Sequence, residues 1–231
     1  MSSLLDDFHS KGYCIVDDAI PAELFEKLRN AADDAVSLGK KGAWDQVRRT
    51  KDGSVWGINN VCHPSMAGSS LFLEYLALDG IIGTCATLLE CDVSALQFEL
   101  GNLLCMPDSD YSLSWHRDYV DIRALHGEEE VGELRRQAAA HQGVQWNTAL
   151  YEDSCFIFVP ASHTRAKSDE EKALVMEADT DDVQLPGEVV LTLQPGQTAF
   201  YDSNLRERAP RAQRARAAPA RHRQGNCWKQ R

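Results

Sequence analysis

The spacing of apolar residues changes character near residue 93. Before it, the period is helical. Leu4, Leu5 and Phe8 recur at that spacing until Gly12, which predicts a first helix over 3–11. Tyr13-Cys14-Ile15-Val16 reads as a short strand. Pro21 stands where a helix tolerates proline, at its start, and Leu24, Phe25, Leu28, Ala31, Ala32, Ala35 and Leu38 then share one face up to Gly39. Residues 40–60 are polar around Trp44 and Trp56 and are expected to form a loop or short strands, with the tryptophans as packing anchors. Residues 64–78 and 79–91 predict two helices over one apolar face, broken at Asp79-Gly80.

From Val93 the period becomes two, the mark of half-buried strands. Strands are expected over 94–106, 113–122, 144–151, 155–159, 188–193 and 198–202. Two charged stretches interrupt them. Residues 123–143 predict a solvated helix, and residues 166–182 an exposed helix or loop. Helices first and strands afterwards predict a mainly β fold with α: a double-stranded β-helix, or jelly roll, with packed N-terminal helices. One domain is expected over 1–204, helical in 1–92 and stranded in 93–204.

Composition narrows the class. Apolar residues make up 43% of the 231, enough for a core, and no apolar run reaches the roughly 18 residues of a membrane span. The N-terminus lacks the basic-then-apolar order of a signal peptide, so a cytoplasmic protein is expected. Seven cysteines without a Cys-x-x-Cys pair read as reduced thiols. The net charge of −11 is uneven. Residues 205–231 hold nine Lys/Arg and one Glu, a net of +8, which leaves −19 for residues 1–204. An acidic body argues against nucleic acid as a partner.

The candidate chemistry lies in Trp115-His116-Arg117-Asp118. On an extended chain His116 and Asp118 point to one side and Arg117 to the other. An imidazole and a carboxylate so placed suit a divalent ion such as non-haem Fe(II). A surface His and Asp on a loop is the plainer alternative. Gln145 and Asn147 share a strand face, either toward that site or as satisfied polar groups inside a barrel. His163 either touches a cosubstrate or makes a structural hydrogen bond. His63, His126 and His141 read as surface residues, and Cys155 as core.

With those residues in place, the chain from about Phe8 to Asn204 resembles the phytanoyl-CoA dioxygenase-like family of Fe(II)- and 2-oxoglutarate-dependent oxygenases. The resemblance is carried, in order, by Gly12-Tyr13 and its strand, Trp115-His116-Arg117-Asp118, Gln145-Trp146-Asn147-Thr148-Ala149-Leu150, Val159-Pro160-Ala161-Ser162-His163 and Leu193-Gln194-Pro195-Gly196 with Ala199-Phe200-Tyr201. It implies Fe(II) on His116 and Asp118, with 2-oxoglutarate beside Gln145, Asn147 and His163. It also implies O2 and a small organic, lipid or acyl substrate that is hydroxylated. The oligomeric state is not implied.

The pattern departs from the family after Asn204. A Leu-His carrying the second imidazole is expected there, then an arginine about ten residues on for the distal carboxylate of 2-oxoglutarate. Leu205-Arg206-Glu207-Arg208-Ala209-Pro210 stands instead, and no histidine follows until His222, which is flanked by Arg221 and Arg223. Residues 205–231 are therefore expected to be an atypical basic tail. Three origins compete: a disordered tail for an acidic partner, a protein that has lost its metal site, and an out-of-frame end, which the Arg/Ala/Pro bias favours. Two functions remain open: a dioxygenase, truncated or inactive as written, and a non-catalytic jelly-roll binding protein with a remnant metal site.

Overall fold

The computed structural model of the chain describes residues 3–109, 112–118, 125–140, 143–177, 183–209 and 226–230. Two antiparallel sheets face each other. The larger contains β1 (Tyr13–Val16), β2 (Val47–Arg49), β3 (Val55–Asn59), β4 (Gly101–Cys105), β6 (Val144–Ala149), β9 (Thr198–Asp202) and β11 (Asn226–Gln230), in the order β1-β9-β6-β11-β4-β3-β2. The smaller contains β5 (Leu113–His116), β7 (Asp153–Val159), β8 (Val189–Leu193) and β10 (Arg206–Ala209), in the order β5-β10-β7-β8. This is the double-sheet jelly roll that the alternation predicts.

Helices cover both outer faces. On the larger sheet lie α1 (Leu4–Lys11), α2 (Ala22–Lys40), α3 (Ser69–Leu76) and α4 (Thr84–Leu88). Their apolar stripes meet the outward residues of the strands in a core that includes Leu28, Phe72, Ile58, Leu103, Trp146 and Phe200. Tyr75 Oη anchors α3 to the sheet: it bonds Thr148 Oγ1 at 2.6 Å and accepts from Trp146 Nε1 at 2.8 Å. Between the sheets Phe156, Phe158, Leu191, Leu193, Tyr201 and Leu205 form a second core. Outside the smaller sheet, α5 (Gly127–Ala140) and α6 (Asp169–Glu177) with residues 183–188 form the fourth layer over Trp115, Ile157 and Val159. Among the described residues, no single helix is long and apolar enough to cross a membrane.

Several boundaries differ from the sequence expectation. The alternation of Ser94–Leu100 does not make a strand, because Val93–Ala95 forms a 3-10 turn and the chain pairs only from Gly101. Alternation alone does not supply a partner edge. The strand expected over 113–122 stops at His116, and residues 119–124 lie outside the described ones. The rim segment 40–60 contains β2 and β3, and Trp44 is buried with its Nε1 donating to the Asn59 carbonyl at 3.1 Å.

The largest correction concerns residue 205 onward. β10 is an interior strand of the smaller sheet, between β5 and β7, and β11 an interior strand of the larger, between β4 and β6. The expected boundary at 204 therefore does not hold, nor does a disordered tail over those stretches. Averaging composition over the whole segment hid a four-residue strand whose two faces each have partners. Leu205 fills the inter-sheet core, Arg206 and Arg208 each meet a glutamate, and Glu207 meets the His116 imidazole. Residues 210–225, including His222, lie outside the described residues.

Candidate metal centre

β10 carries Arg206-Glu207-Arg208, and the period of two sends its side chains to opposite faces. Glu207 points inward, where it is in register with His116 on β5. Its Oε1 lies 3.5 Å from His116 Nε2. Asp118, just past the end of β5, brings Oδ1 to 3.9 Å from the same nitrogen. One ligand atom each from His116, Asp118 and Glu207 lies within 4.8 Å of the others. The Glu207 and Asp118 side chains are almost wholly buried, and His116 is about a quarter exposed, at 26%. The site thus opens on the imidazole side.

Each member is held by its surroundings. The Asp118 amide donates to the Ser203 carbonyl at 3.1 Å, which ties the end of β5 to the turn before β10. Gln145 Nε2 donates to Asp118 Oδ2, and Tyr201 Oη donates to Gln145 Oε1 at 3.4 Å. His116 Nδ1 lies 2.9 Å from the Ser114 carbonyl. A proton on Nδ1 satisfies that carbonyl and leaves the Nε2 lone pair facing the two carboxylates. Two buried carboxylates this close repel one another unless a proton or cation lies between them. An imidazole nitrogen and two carboxylate oxygens converging on one point fit a divalent cation.

The other predicted residues are placed as follows. Gln145 joins the site through Asp118. Asn147, two residues on along β6, is buried on the same face, in register with Ala199. Across the larger sheet that row runs through Asn102 and Asn59, both on the inner face. His163 is turned elsewhere. It lies in a short turn (Ser162–Thr164), its Nε2 3.2 Å from the His9 carbonyl, and packs on Gly12. Burial pushes its pKa down, with the Asp202 carboxylate opposing. Burial likewise pushes Asp202 up, although that carboxylate accepts the Asn204 amide at 2.7 Å.

Arg117 faces away from the centre and is buried. Its Nη1 donates to the Ser162 carbonyl at 2.6 Å and to the Asn204 carbonyl, and its Nη2 to Glu130 Oε1 at 3.0 Å. Burial, with the Arg206 charge adding to it, lowers its pKa to about 10. Arg206 and Arg208 share that outer face. Arg206 Nη1 is 2.7 Å from Glu171 Oε2, and Arg208 Nη2 is 3.0 Å from Glu188 Oε1. Arg208 also lies over the Trp115 ring at 5.3 Å.

Glu207 is the residue that the sequence reading missed. The family pattern places an imidazole there. A carboxylate two residues into the strand after Asn204, where the family pattern places Leu-His, was the available signal.

A double-sheet barrel with a His/Asp/Glu cluster at its mouth defines a jelly roll with a candidate metal centre. The model of the phytanoyl-CoA dioxygenase (PhyH) family matches residues 8–227, and the chain belongs to that family. Solved structures with the same fold are distant in sequence. EctD from S. alaskensis, solved with 2-oxoglutarate and 5-hydroxyectoine, has a TM-score of 0.68 at 15% identity, covering 98% of this chain and 73% of that one. AviO1 from Streptomyces viridochromogenes Tue57 has a TM-score of 0.67 at 14% identity, covering 100% and 95%. The epimerase SnoN, in complex with Fe3+, alpha ketoglutarate and nogalamycin RO, has a TM-score of 0.63 at 14% identity, covering 98% and 81%. No curated protein sequence matches the chain.

Proposed function

We propose that this chain is an Fe(II)- and 2-oxoglutarate-dependent dioxygenase that hydroxylates a small organic, lipid or acyl substrate, with turnover curtailed by the carboxylate at position 207. The convergence of His116, Asp118 and Glu207 on one strand pair supports the reading most directly. When bound, the ion and 2-oxoglutarate supply the oxidising chemistry with O2.

The chain's own contribution is placement and exclusion of water. The Ser114 carbonyl orients His116, and Gln145 orients Asp118. The inner faces of β6 and β4 offer neutral amides, Gln145, Asn147 and Asn102, to polar groups of a bound cosubstrate or substrate. Phe156, Phe158, Leu191 and Tyr201 close the space between the sheets to water. His163 is a weaker candidate for cosubstrate contact, since it is engaged with the His9 carbonyl. Release of labelled CO2 from 2-oxoglutarate, with and without candidate substrates, tests the proposal. Activity should depend on added Fe(II) and vanish in His116→Ala and Asp118→Ala.

Glu207 also favours a second reading, a binding protein that keeps a cation without turnover. A chain that binds Fe(II) and 2-oxoglutarate yet releases no CO2 with any substrate supports that second reading.

A further inference from the structure

We infer that Glu207 is a third cation ligand whose charge gives the site more affinity for hard divalent ions and less for the dianion 2-oxoglutarate than an imidazole would. The inference rests on the reading that the triad holds a divalent ion.

Three observations carry it. First, Glu207 is 3% exposed and in register with His116, so its carboxylate is built into the sheet rather than reaching in from a loop. Second, the arginines on either side of it are turned away from it. Arg206 and Arg208 leave the strand on the other face, where Glu171 and Glu188 meet them. Third, its Oε1 lies closer to His116 Nε2, at 3.5 Å, than Asp118 Oδ1 does, at 3.9 Å. An ion between them meets both carboxylates.

The consequences follow from charge and ligand type. A divalent ion with two imidazoles and one carboxylate keeps a net charge of +1. With one imidazole and two carboxylates it is neutral. A dianion approaching a neutral centre loses the attraction of that unit charge, in a buried place where screening is weak. Carboxylate oxygens also suit Mn(II) and Mg(II), whereas imidazole nitrogens favour the later ions such as Co(II) and Zn(II). Replacing nitrogen by oxygen therefore narrows the advantage of the later ions.

The experiment is calorimetric titration of the full chain with Mn(II) and with Co(II), then of the metal-loaded protein with 2-oxoglutarate. The variants are Glu207→Gln, Glu207→His, His116→Ala and Asp118→Ala, each checked for native circular dichroism. Glu207→Gln should bind Mn(II) at least tenfold more weakly than the parent. Glu207→His should raise the Co(II)-to-Mn(II) affinity ratio at least tenfold. Loaded with Co(II), it should bind 2-oxoglutarate at least tenfold more tightly than the parent. If Glu207→Gln keeps the parent's Mn(II) affinity while His116→Ala and Asp118→Ala lose it, the ligand role of Glu207 is overturned and the site stands. Unchanged 2-oxoglutarate affinity in Glu207→His overturns the charge argument. If all three residues prove dispensable for Mn(II), the metal centre falls as well.

Discussion

The two faces of the smaller sheet both bury charged groups and use them in opposite ways. On the outer face, Arg117, Arg206 and Arg208 meet Glu130, Glu171 and Glu188, which come from α5, α6 and the segment before β8. Arg165 and Lys167 add contacts to Glu171 and Glu130 at 2.8 and 3.3 Å. On the inner face, Asp118 and Glu207 lie 3.9 and 3.5 Å from the His116 imidazole. The first arrangement is closed and holds layers together. The second gathers two carboxylates and an imidazole on one point, a candidate place for a cation. A single strand with alternating Arg-Glu-Arg serves both, because neighbouring residues never share a face.

The contrast can be broken most severely from the outside. Arg206→Ala leaves Glu171 buried with less of its compensation, and a cost of ~3–5 kcal/mol is expected in urea unfolding. Replacing Arg206 and Glu171 together by methionine should recover most of that loss, since well-packed apolar residues replace buried pairs at little cost. A mild effect of Arg206→Ala would show that the outer pairs are not structural.

From the inside, the expected effect is conditional. Mn(II) at a hundred times its dissociation constant should stabilise the protein by about 2.7 kcal/mol, seen as a rise in melting temperature. Asp118→Asn should abolish that rise. Without metal it should melt no lower than the parent, because a repelling charge has gone. A metal-free variant that melts well below the parent would place Asp118 among the structural charges.

Acid should separate the faces further. Burial raises the Glu171 carboxyl, but hydrogen bonds from Arg165, the Ser168 amide and Arg206 outweigh it and hold the pKa at about 2, below the ordinary 4.5. The unfolded chain therefore takes up this proton first. The stabilisation is complete above about 4.5 and is lost as pH falls toward 2. Unfolding free energy measured across that window should slope less steeply in Glu171→Gln. An unchanged slope would assign the acid sensitivity to other groups.

The smallest effect is expected at His163, which lies off both faces. His163→Ala removes its contact with the His9 carbonyl, at a cost of about 1 kcal/mol, and should leave 2-oxoglutarate affinity unchanged. Weakened binding in the same titration would return His163 to the cosubstrate.

Much of this architecture was legible from periodicity. The change from helical to two-residue spacing located the helical layer and most strands, and His116-x-Asp118 marked the barrel mouth. What escaped has a common cause. β10 is a four-residue strand, and its charged side chains look solvent-facing until the glutamates that bury them are known. Those partners lie up to 35 residues away, at 171 and 188 for arginines at 206 and 208, so no local window could show them. Glu207 escaped because a ligand type was expected rather than a ligand position. His163 was ambiguous because a buried imidazole serves packing and binding equally well, and only its contact with α1 distinguishes them.

Gly12 connects the first helix to this strand. It caps α1 with φ of 84°, and a Cβ there would lie 2.6 Å from His163 Nδ1 and 2.7 Å from Leu205 Cδ1. The Lys11 carbonyl accepts the Ala161 amide at 2.7 Å, and the Gly12 carbonyl accepts the Asp202 amide at 2.9 Å. Two distant stretches thus close on the end of α1, at a residue that has no side chain, and the second runs directly into Glu207. The candidate metal centre is in this sense not a portable module. The ligand strand takes its starting point from the N-terminal helix, so grafting the strands into another barrel without residues 4–13 would transfer the ligands but lose their alignment.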